Sequence, residues 1–418
     1  MKWIKEDKSL KIPIKSWCEE IEPGALEQAK NLANHPVTQN HVALMPDAHV
    51  GYGMPIGGVI AAENAILPNA VGVDIGCGMG AIKTDFHAND IGDKTTIREI
   101  LNNVKDKVPV GEGNSHKSPQ RWDGFSAYLK SIGVGEEVDD YNNPKLPAWF
   151  DKATWNLAFK NLGTLGGGNH FIEMQEAQDG HLWLMLHSGS RHLGNKIASY
   201  YHKLAQQLNE QYNDDLPDRD LAFFRTNSAE GNDYIRDMNF AMEYAKENRR
   251  LMMEAFKQAI IYILGDIESL EETNIHHNYA ALENHFEKMV WVHRKGATSA
   301  KLGEKGIIPG SMGTSSYIVE GFGNAESFQS CSHGAGRKMG RMEACRSLTT
   351  EECNEAMEGI VFDRWSKLKK FGKINKAKNL FDLGESPLAY KDIDEVIKSE
   401  LDLIKPVVKL KPLGVVKG

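Results

Sequence analysis

The residues with most chemical potential in this chain sit in short clusters flanked by glycine, asparagine or serine. Asp74 and Cys77 are three positions apart across Gly76. A turn of that length can bring a carboxylate and a thiol to one side, offering oxygen and sulfur to the same cation. A thiolate needs a metal or a cation to form at neutral pH, and one sulfur can bridge two ions. Imidazoles stand in similar settings: Asn169-His170, His187-Ser188-Gly189-Ser190 and His276-His277-Asn278. Together, Asp74, Cys77, His170, His187 and His277 would make a mixed oxygen, sulfur and nitrogen site suited to Mn²⁺ or Zn²⁺. The plainer alternative is a structural cysteine in a glycine turn with unrelated core histidines. Five such residues in the same kind of strand-end setting favour the metal.

A second set of features points to phosphate. Glycine loops that also carry hydroxyl or basic residues recur at Gly163–His170, His187–Arg191, Pro309–Ser316 and Cys331–Arg337. Such loops let backbone N–H groups converge on an oxyanion, and arginine adds a forked donor. Arg191, Lys295, Arg337 and Arg341 lie in or beside them. Neither a G-x-x-x-x-G-K-[ST] loop nor a G-x-G-x-x-G turn opening a helix occurs, and the Lys-x-Asp-Gly motif of lysine nucleotidyl transferases is absent. A nucleotide handled covalently would therefore need another nucleophile. His333, among small residues and four positions before Arg337, is the candidate, because a neutral imidazole nitrogen can attack an α-phosphate.

These residues need rigid elements beneath them. Val59–Ala62 and Val71–Ile75 read as short strands joined by tight turns. Residues 95–135 mix turns with a helix, and His181–His187 reads as a buried strand entering a loop. Apolar residues at three- and four-residue steps predict a helix from Tyr234 to about Leu264. A strand at Met289–Val292, a lysine-rich helix over 367–378 and an extended tail over 406–418 complete the pattern. Strands and helices lack a βαβ cadence, so the expected class is α+β, with one domain across residues 1–418.

Composition sets outer limits. Of 418 residues, 41% are hydrophobic and 25% charged, which suits a chain that buries a sizeable core and excludes wholesale disorder. The net charge of −8 argues against a non-specific polyanion binder, although a local basic cleft can sit on an acidic body. The five cysteines are scattered, which reads as thiols in a reducing compartment. No apolar run is long enough to span a bilayer, and the first residues lack a signal-peptide core; the expected location is cytoplasmic, with no membrane partner.

Seven blocks in order carry a resemblance: Met45–Gly53, Gly72–Gly78, Gly167–Glu173, His187–Arg191, His293–Ala297, Pro309–Gly313 and Ser332–Arg337. Together they closely resemble the signature blocks of the RtcB RNA-splicing ligases, over nearly the whole chain, and the length resembles that family's compact bacterial form. The resemblance implies a GTP- and Mn²⁺-dependent ligase that joins RNA 3′-phosphate or 2′,3′-cyclic-phosphate ends to 5′-hydroxyl ends. It implies two manganese ions per site, one held by Asp74, Cys77 and His170, the other by Cys77, His187 and His277. The choice of His277 over His276 rests on the family's His-Asn pair, here His277-Asn278.

By the same resemblance His333 is the guanylated residue and Glu173 reads the guanine edge. The nucleotide pocket would also draw on Asn169, His170, Phe171, Ile172, His277, Asn278, Pro309, Gly310, Ser311, Met312, Ser316, Gly334, Ala335, Gly336 and Lys417. Asp47 and His49 would support the metals or the RNA end. Arg191, Lys295, Arg337 and Arg341 become candidates for RNA phosphates, and an archease-type activator joins RNA among the expected partners. Two positions depart from the family pattern: Ser299 stands where a basic residue is expected, and Ala48 replaces a larger aliphatic. Competing readings keep the site but change the task. One is a paralogue that guanylates 3′-phosphate ends without sealing them; another is a metal phosphodiesterase or RNA-binding protein that forms no GMP adduct.

Overall fold

Runs of aliphatic and β-branched residues punctuated by glycine build two large sheets, seen in a computed structural model that describes residues 1–6, 8–367 and 380–418. Among the described residues the first sheet has the order β1 (Trp3–Lys5), β2 (Ile14–Ser16), β3 (Thr38–Tyr52), β4 (Met54–Ala62), β12 (Lys288–Lys295), β11 (Asn278–His285). The second runs β10 (Ser269–His276), β6 (Gly78–His87), β8 (His181–Ser188), β7 (Phe171–Ala177), β17 (Ile404–Lys417), β15 (Ser316–Gly321), β14 (Lys305–Ile308). Two small ribbons pair β13 (Ala297–Ser299) with β16 (Ser330–Ser332), and β5 (Ala65–Ile66) with β9 (Phe224–Arg225). Strands β2 and β3 run parallel, whereas the other pairings among these strands are antiparallel. With segregated helices this is an α+β fold, as the missing βαβ cadence implied.

The helices are α1 (Pro23–Ala33), α2 (Pro68–Val71), α3 (Lys94–Lys107), α4 (Asp123–Ser131), α5 (Lys152–Asn161), α6 (Arg191–Gln211), α7 (Ala229–Leu264), α8 (Arg341–Ser347), α9 (Thr350–Glu355) and α10 (Ile393–Ser399). The long helix α7 starts five residues before the expected Tyr234, because Ser228 caps it by accepting the Gly231 N–H. It packs on β6, β8 and β10 and on α3 and α6. Its Met252 and Phe256 are fully buried, each worth roughly 1.5–3 kcal/mol of apolar transfer. Tyr128, Trp149 and Tyr201 donate to the buried Asp237 carboxylate of the same helix.

One expected strand is absent. Residues 71–75 do not extend the sheet: Pro68 opens α2, and Gly72 (φ 101°) and Gly76 (φ 71°) turn the chain into a loop that leads to β6. The expected strands at 59–62, 181–187, 289–292 and 406–418 fall in β4, β8, β12 and β17. Beyond Lys367, the expected lysine-rich helix lies outside the described residues. Among the described residues no helix is long and apolar enough to cross a membrane.

Candidate active site

The five expected ligands converge at one end of the second sheet. Cys77 precedes β6, His170 precedes β7, and His187 pairs with both Met79 and Phe171 near the end of β8. The Asp74 carbonyl accepts the Cys77 N–H at 3.1 Å, and the Cys77 carbonyl accepts the His277 N–H at 2.8 Å. Glycine is required beside this turn: a Cβ on Gly76 would come within 2.8 Å of the α7 backbone, and one on Gly189 within 2.4 Å of the Asp74 carboxylate.

Two overlapping groups result, sharing one sulfur. Asp74 Oδ2 lies 3.2 Å from His170 Nε2, and His170 Nε2 lies 3.5 Å from Cys77 Sγ. Cys77 Sγ is 3.2 Å from His187 Nε2, which is 3.2 Å from His277 Nε2. His170 Nδ1 sits 2.9 Å from the Leu165 carbonyl and His187 Nδ1 3.2 Å from the Asn169 carbonyl. For His187 that bond assigns the proton to Nδ1 and leaves a lone pair on Nε2, whereas His170 Nδ1 is shared between the Leu165 carbonyl and the Arg191 guanidinium. Lone pairs this close need a proton or a cation between them, so the donor set fits a metal. Cys77, His170 and His187 by themselves place three ligand atoms within 4.8 Å of one another, a group that could hold one ion. His276 takes another course, its Nδ1 lying 2.9 Å from the Gly76 carbonyl.

The electrostatics agree with a ligand set. Burial pushes His187 and His277 well below the usual imidazole range, keeping them neutral. Burial raises the Asp74 carboxyl, but the His170 contact outweighs it and holds the group at about 2. Burial and the Asp74 charge push the Cys77 thiol well up, so a bound cation is what would draw its proton off.

His333 follows β16 and meets the cluster edge-on, its ring centroid 4.9 Å from that of His277. Asp47, fully buried on β3, accepts both the His333 backbone N–H at 3.2 Å and its Nδ1–H at 2.6 Å. With the proton on Nδ1, the ring's lone pair is on Nε2. His49, two residues on, turns its Nδ1 to the Asp47 carbonyl at 2.9 Å.

A cleft opens over His333. It is lined by Asn169, Phe171, His187, Pro309, Gly310, Ser311, Met312, Gly334, Ala335, Gly336 and Lys417, and also by His49, Ile56 and Tyr390. Ile56 and Tyr390 carried no signal in the sequence, because single apolar and aromatic residues are indistinguishable from core. Glu173 is buried on β7 and is not among the residues that line the cleft; Gln175 Nε2 donates to it at 2.7 Å and to Ser316 Oγ at 3.1 Å. Burial raises the Glu173 carboxyl to about 7, against the pull of Lys417 and Gln175. Ile172 faces the core. Asn278 is spent on loop geometry, donating to the Asp74 carbonyl and accepting the Gly296 N–H.

Comparison with known proteins decides the lineage. The family model described as tRNA-splicing ligase RtcB matches residues 28–418. The chain belongs to the RtcB family. It is 37% identical to the RNA-splicing ligase RtcB of Escherichia coli K12, over 97% of both chains. It is 34% identical to the tRNA-splicing ligase RtcB of Methanococcus maripaludis, over 96% of this chain and 92% of that one. It is also 31% identical to the Thermococcus kodakarensis protein of the same name, over 99% of this chain and 96% of that one.

In this RtcB-family chain the four cations expected at RNA phosphates have distinct surroundings. The Lys295 ammonium is buried and donates to the Tyr52 and Asn69 carbonyls, with burial lowering it to about 7. Arg337 spends four of its five N–H donors on the Met339 and Gly384 carbonyls, Glu385 and the Tyr390 hydroxyl. Arg191 adopts a left-handed φ of 57° at the start of α6, and its guanidinium lies 3.0 Å from His170 Nδ1. Arg341 is half-exposed, engages Glu385 through Nε at 2.7 Å and lines the cleft. Glu385 thus gathers Arg337, Arg341, Lys417 and the Tyr390 hydroxyl on one buried carboxylate, which these charges hold at about 2 against burial.

A second group of residues in the RtcB-family fold escaped the sequence reading. Asn248 and Arg249 are consecutive and buried on α7. Asn248 accepts the Gly163 and Thr164 N–H groups and donates to Thr164, Ser188 and Gly189. Arg249 Nη1 donates to the Gly76 and Ser188 carbonyls, both at 2.9 Å, and Nε to Asn274 at 2.7 Å. One helix therefore ties the Asp74–Cys77 turn to the His187 loop. Its signal was a polar pair in the apolar stripe of a helix.

Proposed function

We propose that this chain is a GTP- and Mn²⁺-dependent RNA ligase, acting as a single domain. It would join 3′-phosphate or 2′,3′-cyclic-phosphate ends to 5′-hydroxyl ends in RNA splicing or repair. The observation that carries this reading is His333, its Nδ1 held by Asp47 and its ring against His277 of the ligand cluster. Asp74, Cys77 and His170 would hold one manganese, and Cys77, His187 and His277 the other. When bound, such ions supply charge neutralisation at the phosphates.

His333 Nε2 attacks the α-phosphorus of GTP; the N–P bond forms as the bond to the pyrophosphate oxygen breaks. Asp47 keeps the Nδ1 proton throughout and offsets the positive charge that develops on the ring. The guanylyl group then passes from His333 to an oxygen of the RNA 3′-phosphate. Attack by the 5′-hydroxyl on that activated phosphorus seals the strand, with GMP as the leaving group. Glu173 receives the N–H donors of guanine, Phe171 and Tyr390 offer ring faces, and Lys417 and Arg341 supply cationic donors.

Incubation with Mn²⁺ and GTP labelled at the α-phosphate tests the reading. Acid-labile label is expected on the wild type and on neither His333→Ala nor Cys77→Ala, together with sealing of RNA that carries the matching ends. Absence of label on metal-loaded wild type, with an archease-type activator added, would overturn the ligase in favour of a metal phosphodiesterase. Guanylated 3′ ends that accumulate unsealed would identify the capping paralogue.

A further inference from the structure

The chain that carries His333 is held by two buried carboxyl groups, and only one of them touches the imidazole. Asp47 accepts the His333 N–H and the ring proton. The preceding N–H, that of Ser332, donates to Glu400 Oε2 at 2.9 Å. Glu400 is the C-terminal cap of α10, and its own carbonyl accepts the Leu403 and Ile404 N–H groups. Both acids are fully buried, and each keeps one oxygen without a partner, Asp47 Oδ1 and Glu400 Oε1. Ile397, Leu403 and Ile404 pack in the same apolar cluster as Phe328, Cys331 and Ala335 of the segment that carries His333. An aliphatic side chain would suit such surroundings better than an acid.

We propose that Glu400 is a positioning residue for His333, fixing the backbone of the nucleophile's loop through Ser332 while Asp47 fixes its ring. The proposal rests on His333 being the guanylated residue. Burial lifts the Glu400 carboxyl to about 8, and the charges of Asp47 and Asp402 add to the rise. The ionisable groups facing it are Asp47 on β3, Cys331 on β16 and Asp402 beyond α10. Near neutrality the acid is therefore protonated. It still accepts the Ser332 N–H, and it places no second negative charge beside Asp47.

The test is the single-turnover rate of protein guanylation by the manganese-loaded enzyme, measured across GTP concentrations up to saturation, in Glu400→Gln and Glu400→Leu. The glutamine variant keeps the acceptor and should stay within about twofold of wild type near neutrality, its rate relative to wild type rising above about pH 8. The leucine variant should slow about tenfold or more, with KM for GTP unchanged. The His333 ring resonances in ¹⁵N-histidine-labelled protein give a readout free of catalysis: unchanged in the glutamine variant, shifted or broadened in the leucine variant. Guanylation by Glu400→Leu at the wild-type rate, or a loss confined to KM, overturns the proposal. Should the leucine variant fail to fold, a loss of about tenfold in Glu400→Gln near neutrality overturns it equally. A wild type that takes no label counts against the ligase reading instead, and the ring resonances still decide the positioning.

Discussion

Asp47 Oδ2 lies 2.6 Å from His333 Nδ1, so a fully buried carboxylate sets which imidazole nitrogen is free to react. Removing that charge leaves the positive charge that develops on the ring during attack without a counter-charge. Asp47→Asn is expected to slow guanylation of His333 by about 100-fold or more while metal content stays at the wild-type level. Rapid-quench measurement of the labelled adduct, beside elemental analysis of the same samples, checks both halves.

The adjacent histidines of the β10–β11 corner should behave differently. His277 Nε2 faces His187, whereas His276 turns to the Gly76 carbonyl and the Arg249 guanidinium. His277→Ala is expected to lose manganese on dialysis, and His276→Ala to retain it. Arg249→Met, which touches no ion directly, should weaken manganese binding by about 10–100-fold because it frees both ligand-bearing loops. Titration calorimetry with Mn²⁺ measures all three.

Glu173 gives a pH dependence with a definite sign. In the free protein its carboxyl is raised to about 7, chiefly by burial. Guanine presents N–H donors, so bound GTP favours the carboxylate and must expel the proton held below that value. GTP affinity is therefore expected to weaken as the pH falls through about 7, with proton release on binding. Calorimetry in two buffers of different ionisation enthalpy measures that release. Glu173→Gln should abolish it.

The carboxylate of Glu385 holds three cations and a phenol beside the cleft. Glu385→Gln is expected to raise KM for GTP by about tenfold, because Lys417 and Arg341 lose their fixed orientation before the nucleotide arrives. Steady-state adduct formation against GTP concentration tests this, and an unchanged KM would refute it.

Much of this site was legible because its chemistry depends on residue types that are costly to bury idly. Asp74, Cys77, His170 and His187 stood out through their glycine and asparagine neighbours, and the fold brings them within a few ångströms of one another. The positions that escaped notice act through backbone groups: Asn248 and Arg249 hold loop carbonyls, and Glu400 holds one N–H. The only local mark was the break that Asn248 and Arg249 make in the apolar stripe of α7, and Glu400 carries no such mark. The strand expected over 71–75 failed for a related reason. Its β-branched residues satisfy a strand's composition, but Pro68, Gly72 and Gly76 set the backbone, and they set a turn. Lys295 shows the converse, since a lysine beside a glycine loop looks like a phosphate ligand until its burial is known.

The place of β17 carries a consequence for how the molecule is made. Residues 404–417 are translated after β7 and β15, yet they fill the gap between those two strands. Until they emerge from the ribosome, the nascent sheet is two fragments with open edges, and Lys417 is missing from the cleft. A chain halted in this stretch would therefore have Cys77, His170, His187 and His277 in place but an open sheet and an unfinished cleft.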